Sequence, residues 1–198
     1  MSAHPGWPVV LEHGDLRLRP LSIRDKRSWR RVREANIAWL SRWDATTPPG
    51  SQARPRTFAS MVRTMAAEAR MGRQLPFAVE HDGRFVGQVT VSNITRGSAQ
   101  FASIGYWIDQ AYAGRGLITR AVAMVIDHCF FELKLHRIEI AIRPENAASL
   151  RVVEKLGIPE VGFAPRYLHI DGEWRDHRLF AITREDAPKG VEGRLRVE

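Results

Sequence analysis

The sequence lacks the features of a secreted, disulfide-linked or membrane-spanning protein. Its 198 residues include one cysteine, Cys129, which excludes an internal disulfide and fits a reducing, cytosolic environment. Because Cys129 lies in an apolar run with Phe130 and Phe131, we expect a buried, unreactive thiol. No apolar stretch is long enough to span a bilayer, and the first residues lack the apolar core of a secretion signal. We therefore expect a cytoplasmic protein without membrane contacts.

An excess of acidic residues and two common phosphate-binding motifs are absent as well. Lys and Arg total 30 against 22 Asp and Glu, a formal charge of +8, and a positive field attracts polyanions such as CoA or the RNA of a ribosome. A codon bias toward arginine explains the same excess, so charge alone does not decide. No G-x-x-x-x-G-K-[ST] motif occurs, and a dinucleotide fingerprint would need a third glycine at Thr119. No metal ligands are assigned.

The elements predicted from hydrophobic periodicity alternate helices and strands around one central sheet, which suits a single domain of mixed α and β structure. We expect an N-terminal extension over 1–14, a domain over 15–185 and a flexible polar tail over 186–198. The predicted elements are strands over 15–21, 101–109 and 138–142, helices over 22–39, 58–71, 117–133 and 147–156, and hairpins around Asp82-Gly83 and Asp171-Gly172.

The turn from Gly114 to Thr119 is the first candidate ligand site, because it joins a predicted strand to a predicted helix. Gly114 and Gly116 let the backbone approach a ligand without a Cβ. The first helical turn offers unpaired N–H groups and the positive end of the helix dipole. Such a turn suits a diphosphate, and Arg115 could add a charge. A tight connection with no ligand explains the glycine spacing equally well.

The residues around this turn decide between the two interpretations. The segment 106–117 resembles the cofactor motif of the GNAT superfamily of N-acetyltransferases, in which a strand leads through Gln/Arg-x-x-Gly-x-Gly/Ala into a helix. Gly116 takes the first glycine position, whereas Ala113 and Ile118 depart from the pattern. Backbone N–H groups supply most of the anion contacts, so the site tolerates both changes.

Three further stretches resemble the RimJ/RimL-type ribosomal-protein-alanine N-acetyltransferases, and RimJ more than RimL. They are 92–98, the set His136-Arg137-Ile138 with Asn146, Ser149, Leu156 and Gly157, and 171–177. The resemblance runs from about Leu16 to Ile182. It implies a GNAT-like α+β fold with a central, mostly antiparallel twisted sheet flanked by helices, and acetyl-CoA as cosubstrate.

The resemblance also implies roles for individual residues. The backbone of Tyr106, Trp107 and Ile108 would pair with the pantetheine arm, and an N–H near Ile108 would polarise the thioester carbonyl. Asn146 is either a helix N-cap or a cofactor contact, and Ser149 is either bonded within that cap or the acid that protonates the CoA thiolate. The implied cofactor contacts are Tyr106, Trp107, Ile108, Gly114, Arg115, Gly116, Leu117, Ile118, Thr119, Asn146 and Ser149.

No general base is evident, because 101–108 contains no acid. Glu34, Glu80, Asp171 and His169 are candidates, and each also suits a solvated surface. The demand for a base is mild for an α-amine, of which roughly a tenth is neutral at pH 7, and greater for a lysine. This difference favours an N-terminal acceptor.

The acceptor groove could be lined by Trp174 to His177 and by Trp29, Trp39 and Trp43, although hairpin structure and core packing explain these residues too. Three functions stay open. The first is an N-terminal protein acetyltransferase, with a ribosomal protein or the ribosome as candidate partner. The second is a small-amine acetyltransferase, and the third is a non-catalytic ribosome- or RNA-binding factor. No oligomeric state is predicted.

Overall fold

Strand pairing follows directly from the turn chemistry of the sequence. The structure, a computed structural model, describes residues 6–51 and 57–195. At the predicted Asp-Gly turn, Asp82 and Gly83 both have positive φ, 49° and 70°, which matches the twist of a tight antiparallel hairpin. The turn joins two strands, Leu75–His81 and Arg84–Thr95. This hairpin lies inside the sheet, with a paired strand on each side.

Eight strands and five α-helices make up the described part of the chain. The strands are β1 (Leu11–His13), β2 (Leu16–Pro20), β3 (Leu75–His81), β4 (Arg84–Thr95), β5 (Phe101–Ile108), β6 (Arg137–Ile142), β7 (Glu160–Ile170) and β8 (Glu173–Thr183). The helices are α1 (Lys26–Ala35), α2 (Ile37–Leu40), α3 (Phe58–Arg70), α4 (Leu117–Phe131) and α5 (Ala147–Lys155). No helix in these residues is both long and apolar enough to pass through a membrane.

The strands form one sheet in the order β1-β2-β3-β4-β5-β6-β8-β7. Every neighbouring pair is antiparallel except β5 and β6, which run parallel. Their register ends at Ser103 and Glu139, although both strands continue. The two strands therefore separate in the middle of the sheet, and this opening positions the candidate site.

Helices cover both faces of the sheet. α4 is apolar on nearly all sides, since residues 121–126 are all buried, and it packs with Phe77 and Val79 in the larger core. Ala78 points to the opposite face, as alternation along a strand requires, and joins Val32 and Phe58 in a smaller core. The mixed α and β fold with a mostly antiparallel sheet is thus confirmed.

Two predicted boundaries are corrected by the structure. Strand β1 lies within the predicted extension over 1–14, and Trp7 packs edge-on against Phe77 with ring centroids 5.0 Å apart. The predicted flexible tail packs down as far as Leu195, because the Asp127 carboxylate accepts hydrogen bonds from the backbone N–H groups of Val191 and Glu192 at 2.7 and 3.1 Å. Residues 1–5 and 196–198 lie outside the described residues.

The long helix predicted over 22–39 is also divided. A 3-10 turn at Ile23–Asp25 precedes α1, and Asn36 separates α1 from α2. The Asn36 side-chain amide donates to the carbonyl of Val32 at 2.8 Å, and its backbone leaves helical geometry at φ −116° and ψ 20°. This break brings α2 toward the end of β5.

Candidate active site

The separation of β5 and β6 opens two adjoining cavities. The main cleft, of about 740 Å³, extends from the separation to the start of α4. The inner pocket, of about 240 Å³, lies between β5, β6 and the β7–β8 hairpin. The two cavities meet at a junction formed by the four residues that line both of them: Trp43, Tyr106, Asn146 and Ser149.

The turn before α4 presents a row of free backbone donors to the main cleft. Gly114 and Gly116 both have φ of +77°, a conformation that favours glycine, and Gly116 caps the helix. Within the described ranges, none of the N–H groups from Gly114 to Thr119 donates a hydrogen bond. Six consecutive donors at a helix N-terminus form a site for an anionic group.

The predicted cofactor contacts come together in this cleft with one exception. The lining includes Tyr106, Trp107, Ile108, Gly114, Gly116, Leu117, Ile118, Thr119, Asn146 and Ser149. Arg115 is not part of the lining, because its guanidinium lies over the ring of Tyr112 at 5.2 Å. Only the backbone N–H of Arg115 belongs to the row of donors.

Other cations, which the sequence analysis missed, line the main cleft instead of Arg115. They are Arg42, Arg151 and Lys155. Arg151 and Lys155 are four residues apart on α5, so they occupy one face of that helix. The sequence spacing of Arg151 and Lys155 could therefore have indicated a shared cationic face. Nothing in the sequence around Arg42 indicates the cleft, because only the tertiary fold brings the segment after α2 to it.

Backbone groups of β5 face alternately toward β4 and toward the opening. The N–H of Asp109 donates to Val86 on β4 at 2.8 Å, and by alternation the backbone of Trp107 also pairs with β4. The carbonyl of Ile108 faces the other way and accepts from the indole Nε1 of Trp39 at 3.2 Å. Tyr106 and Ile108 therefore present their backbones to the opening. The expectation that Trp107 would offer its backbone as well is corrected.

Asn36 fixes the end of β5 through a buried amide. Its Nδ2 donates to Asp109 Oδ1 at 2.9 Å, and its Oδ1 accepts from the N–H of Gln110 at 2.9 Å. With the bond to Val32, the side chain is fully engaged while only 4% exposed. A saturated buried amide of this kind holds two segments in one arrangement. Here it links α1 to the lip of the main cleft.

Replacing Asn36 with alanine should therefore lower the free energy of unfolding by about 2–3 kcal/mol, because it leaves the Gln110 N–H and the Asp109 carboxylate without this partner. Chemical denaturation of both proteins measures the change. Ligand binding in the main cleft should weaken in the same variant, since the end of β5 loses its anchor. Stability within about 0.5 kcal/mol of the parent protein, the range of neutral surface changes, would contradict this role.

Asn146, Ser149 and Tyr106 meet where the two cavities join. Asn146 caps α5, since its Oδ1 accepts from the N–H of Ser149 at 3.1 Å. The Ser149 hydroxyl itself has no hydrogen-bond partner in the described residues. The Tyr106 hydroxyl donates to the carbonyl of Ser149 at 3.5 Å, a long contact. Burial raises the pKa of Tyr106 far above its ordinary value, so its hydroxyl stays protonated.

The inner pocket has a mixed lining of apolar and polar residues. Ile140, Ile142, Leu168 and Ile170 belong to its apolar part, and Arg143, Asn146 and His177 belong to its polar part. The segment after α2 closes it, because Ala45 bridges to Ile170. Of the hairpin residues predicted to line the acceptor groove, only His177 lines a cavity.

The other predicted groove residues have different surroundings. Trp174 is 55% exposed. Arg175 pairs with Glu173 at 3.1 Å, and Asp176 accepts from the N–H of Arg166 at 2.7 Å. Among the N-terminal tryptophans, Trp39 and Trp43 line the main cleft, whereas Trp29 packs against Phe58 in the smaller core.

None of the four candidate bases lines either cavity. Glu34 pairs with Arg30 at 3.0 Å, and Glu80 pairs with Arg19 at 2.7 Å. The ring Nδ1 of His169 lies 2.7 Å from the hydroxyl of Thr46. Asp171 lies in the exposed turn between β7 and β8.

Comparison with known proteins agrees with this geometry. The Acetyltransferase (GNAT) domain family matches residues 15–158. The solved structure of Mycobacterium smegmatis RimJ in complex with CoA-disulfide is 43% identical and superposes with a TM-score of 0.88, covering 96% of this chain and 95% of that chain. The resemblance to the RimJ-like branch is confirmed.

Two curated bacterial proteins match part of the chain. The probable N-acetyltransferase YjcK of Bacillus subtilis (strain 168) is 46% identical over 105 residues, which is 53% of this chain and 58% of that protein. The [ribosomal protein uS5]-alanine N-acetyltransferase of Escherichia coli (strain K12) is 37% identical over 105 residues, 53% of this chain and 54% of that protein. The chain thus spans little more than half the length of these relatives. With the family match over most of its length, it belongs to the GNAT family of acetyltransferases.

Proposed function

We propose that the protein transfers an acetyl group from acetyl-CoA to the α-amine at a protein N-terminus. The observation that carries the proposal is the row of free N–H groups from Gly114 to Thr119, which opens into a cleft ending at the edge of β5 that faces away from β4. The first feature suits the diphosphate and the second suits the pantetheine arm, which pairs like an added strand. Arg42, Arg151 and Lys155 supply countercharges for the phosphates of CoA.

The thioester then lies where the two cavities meet. The N–H of Ile108 faces the opening and donates to the thioester oxygen, which stabilises the charge that develops there. The amine attacks the carbonyl carbon from the inner pocket, and the carbon–sulfur bond breaks. Ser149, whose hydroxyl is free and borders both cavities, protonates the departing sulfur.

The acceptor follows from the chemistry of the inner pocket. Its described lining contains no carboxylate and includes the cation Arg143, whereas a polycationic amine such as a polyamine would need acidic partners. A pocket of about 240 Å³ accommodates a short N-terminal residue. The E. coli relative is named for acetylation of the alanine of ribosomal protein uS5, so a ribosomal protein is the proposed partner.

A panel of acceptors tests the function. Peptides with a free N-terminus, the same peptides with a blocked N-terminus and an internal lysine, and spermidine are each mixed with acetyl-CoA, and release of the free CoA thiol is followed. We expect thiol release with the free N-termini, fastest with alanine first. Release with spermidine alone would move the acceptor to small amines. If no acceptor causes release of the CoA thiol, the protein is a binding protein without transferase activity on these acceptors.

Ser149→Ala should lower kcat by about a hundredfold or more if the hydroxyl is the acid. Tyr106→Phe removes only a 3.5 Å hydrogen bond and should cost about 1 kcal/mol, roughly fivefold. Both variants are compared under saturating acetyl-CoA and peptide. A larger loss of kcat in Tyr106→Phe than in Ser149→Ala would assign the acid to Tyr106 instead.

A further inference from the structure

His177 lines the inner pocket, and among the described residues only its Nδ1 makes a hydrogen bond. His177 is 3% exposed and shares the pocket with Tyr106, Asn146 and Ser149. It lies on β8 opposite Ala164 of β7. The next residue of β8, Arg178, pairs with Ile142 at the end of β6. The side chain thus sits next to the end of β6, beyond the stretch in which β6 pairs with β5.

The hydrogen bonding of His177 fixes which nitrogen carries the proton. Nδ1 lies 3.0 Å from the carbonyl oxygen of Arg175, and a carbonyl oxygen only accepts, so Nδ1 is the donor. In the neutral ring, Nε2 then keeps a free lone pair. Nε2 has no partner among the residues that the structure describes, yet it is not sealed off from solvent. It is therefore available to a molecule in the pocket.

The surroundings of the ring keep it neutral. Burial lowers the pKa of His177, and the charge of Arg143 lowers it further. The bond to Arg175 and the carboxylates of Asp176 and Glu145 act in the opposite direction without overcoming burial. The titratable and charged groups facing it are Arg143 and Glu145 after β6, Arg175 and Asp176 on its own strand, and Tyr167 on β7, whose ring lies 5.8 Å away.

We infer that His177 is the general base that accepts a proton from the acceptor amine at Nε2. This inference rests on the proposed acetyl transfer. The ammonium form of the acceptor gives one proton to Nε2, and the nitrogen lone pair attacks the thioester carbon. The carbon–sulfur bond breaks, Ser149 gives its hydroxyl proton to the CoA thiolate, and the second proton lost by the nitrogen restores the Ser149 hydroxyl. The imidazolium returns its proton to water.

This assignment supplies the base that the strand before the glycine turn lacks. The candidates Glu34, Glu80, Asp171 and His169 lie outside both cavities. Among the other residues lining the inner pocket, the guanidinium of Arg143 only donates, and the remaining side chains are hydroxyl, amide, aromatic or aliphatic groups without a basic nitrogen. Among the described residues of the inner pocket, His177 alone offers a basic nitrogen with an available lone pair, and it shares that pocket with the junction residues Tyr106, Asn146 and Ser149.

The test compares kcat/KM against pH for the parent protein and His177→Asn, with an alanine-first peptide. Asparagine retains a donor toward the Arg175 carbonyl and removes the lone pair of Nε2. The parent profile should inflect below pH 6.5, where the imidazole becomes protonated. The variant should lose about a hundredfold at pH 7. Its profile should inflect near 8, because only the already neutral amine reacts.

The loss of kcat/KM in His177→Asn relative to the parent protein should become about tenfold smaller between pH 7 and pH 9, because the free amine becomes neutral without a base. His169→Asn is the matched control, since it removes a ring on the same hairpin that contacts Thr46 and neither cavity. That control should keep the parent profile. Thermal denaturation and acetyl-CoA affinity show whether each variant is folded.

Two results would overturn the inference while leaving the proposed function intact. One is an active parent protein whose kcat/KM inflects at the pKa of the peptide amine instead of below pH 6.5. This result is obtained on the parent protein alone and does not depend on the folding of a variant. The other is a folded His177→Asn protein with parental rates at pH 7. A parent protein that releases no thiol with any peptide would refute the proposed function, and the base together with it.

Discussion

Gly116→Asp is expected to reduce the affinity for acetyl-CoA by more than about a hundredfold. The new carboxylate would stand within about 5 Å of the diphosphate, which costs about 3 kcal/mol at the dielectric typical of a protein surface. The left-handed backbone at Gly116, φ +77°, tolerates aspartate with a small additional strain. Isothermal titration with acetyl-CoA measures the change.

Gly97→Asp is the matched control for this prediction. Gly97 also has positive φ, +69°, and open space where a Cβ would stand, but it lies in the turn before β5, at the end of that strand away from the main cleft. Both variants add the same charge and a similar backbone strain, so their stabilities should agree. Only Gly116→Asp should lose cofactor. Equal affinities in the two variants would contradict the assignment of the turn.

Gly87→Ala is expected to be the most damaging single-methyl change in the sheet. A Cβ at Gly87 would lie 2.4 Å from the Trp107 carbonyl oxygen and 3.1 Å from the Ile108 Cα. Both atoms belong to backbone, so β5 must move where it would hold the pantetheine. We expect a loss of about 3 kcal/mol in the free energy of unfolding. We also expect kcat to fall by about 10²-fold, because the displacement misplaces the thioester.

Gly162→Ala provides the comparison for that change. Gly162 lies in β7, without positive φ and with no atom within 4 Å of the position that a Cβ would take, so alanine there should leave stability unchanged or slightly improved. Denaturation curves and acetylation rates of the two variants distinguish two explanations. If close contact with β5 is the cause, only Gly87→Ala loses stability and activity; if alanine is poorly tolerated in these strands in general, both variants lose them. Parental stability and rate in Gly87→Ala would show that β5 has room to shift.

Features carried by one short segment could be predicted from the sequence. The Asp82-Gly83 hairpin, the glycine turn before α4 and the Asn146 cap each depend on neighbours within a few residues. Turn chemistry and helix capping act at that range. The same local character explains why the resemblance in 106–117 could indicate the cofactor.

Features made by distant segments could not be predicted in the same way. Asn36 looks like an ordinary helical residue until the fold brings Asp109 beside it. His177 belongs to a polar hairpin segment, and only the separation of β5 from β6 makes it a pocket residue. The polar tail conceals Val191, which is fully buried because the Asp127 carboxylate satisfies its N–H.

The most direct measurement is hydrogen–deuterium exchange at the backbone amides from Gly114 to Thr119, with and without acetyl-CoA. These amides have no partner in the described structure, so they should exchange rapidly in the free protein. A cofactor held by them at about 100 times its Kd should slow their exchange by about a hundredfold. Rapid exchange at all six positions under saturating acetyl-CoA would contradict the account, since the diphosphate would then be bound elsewhere.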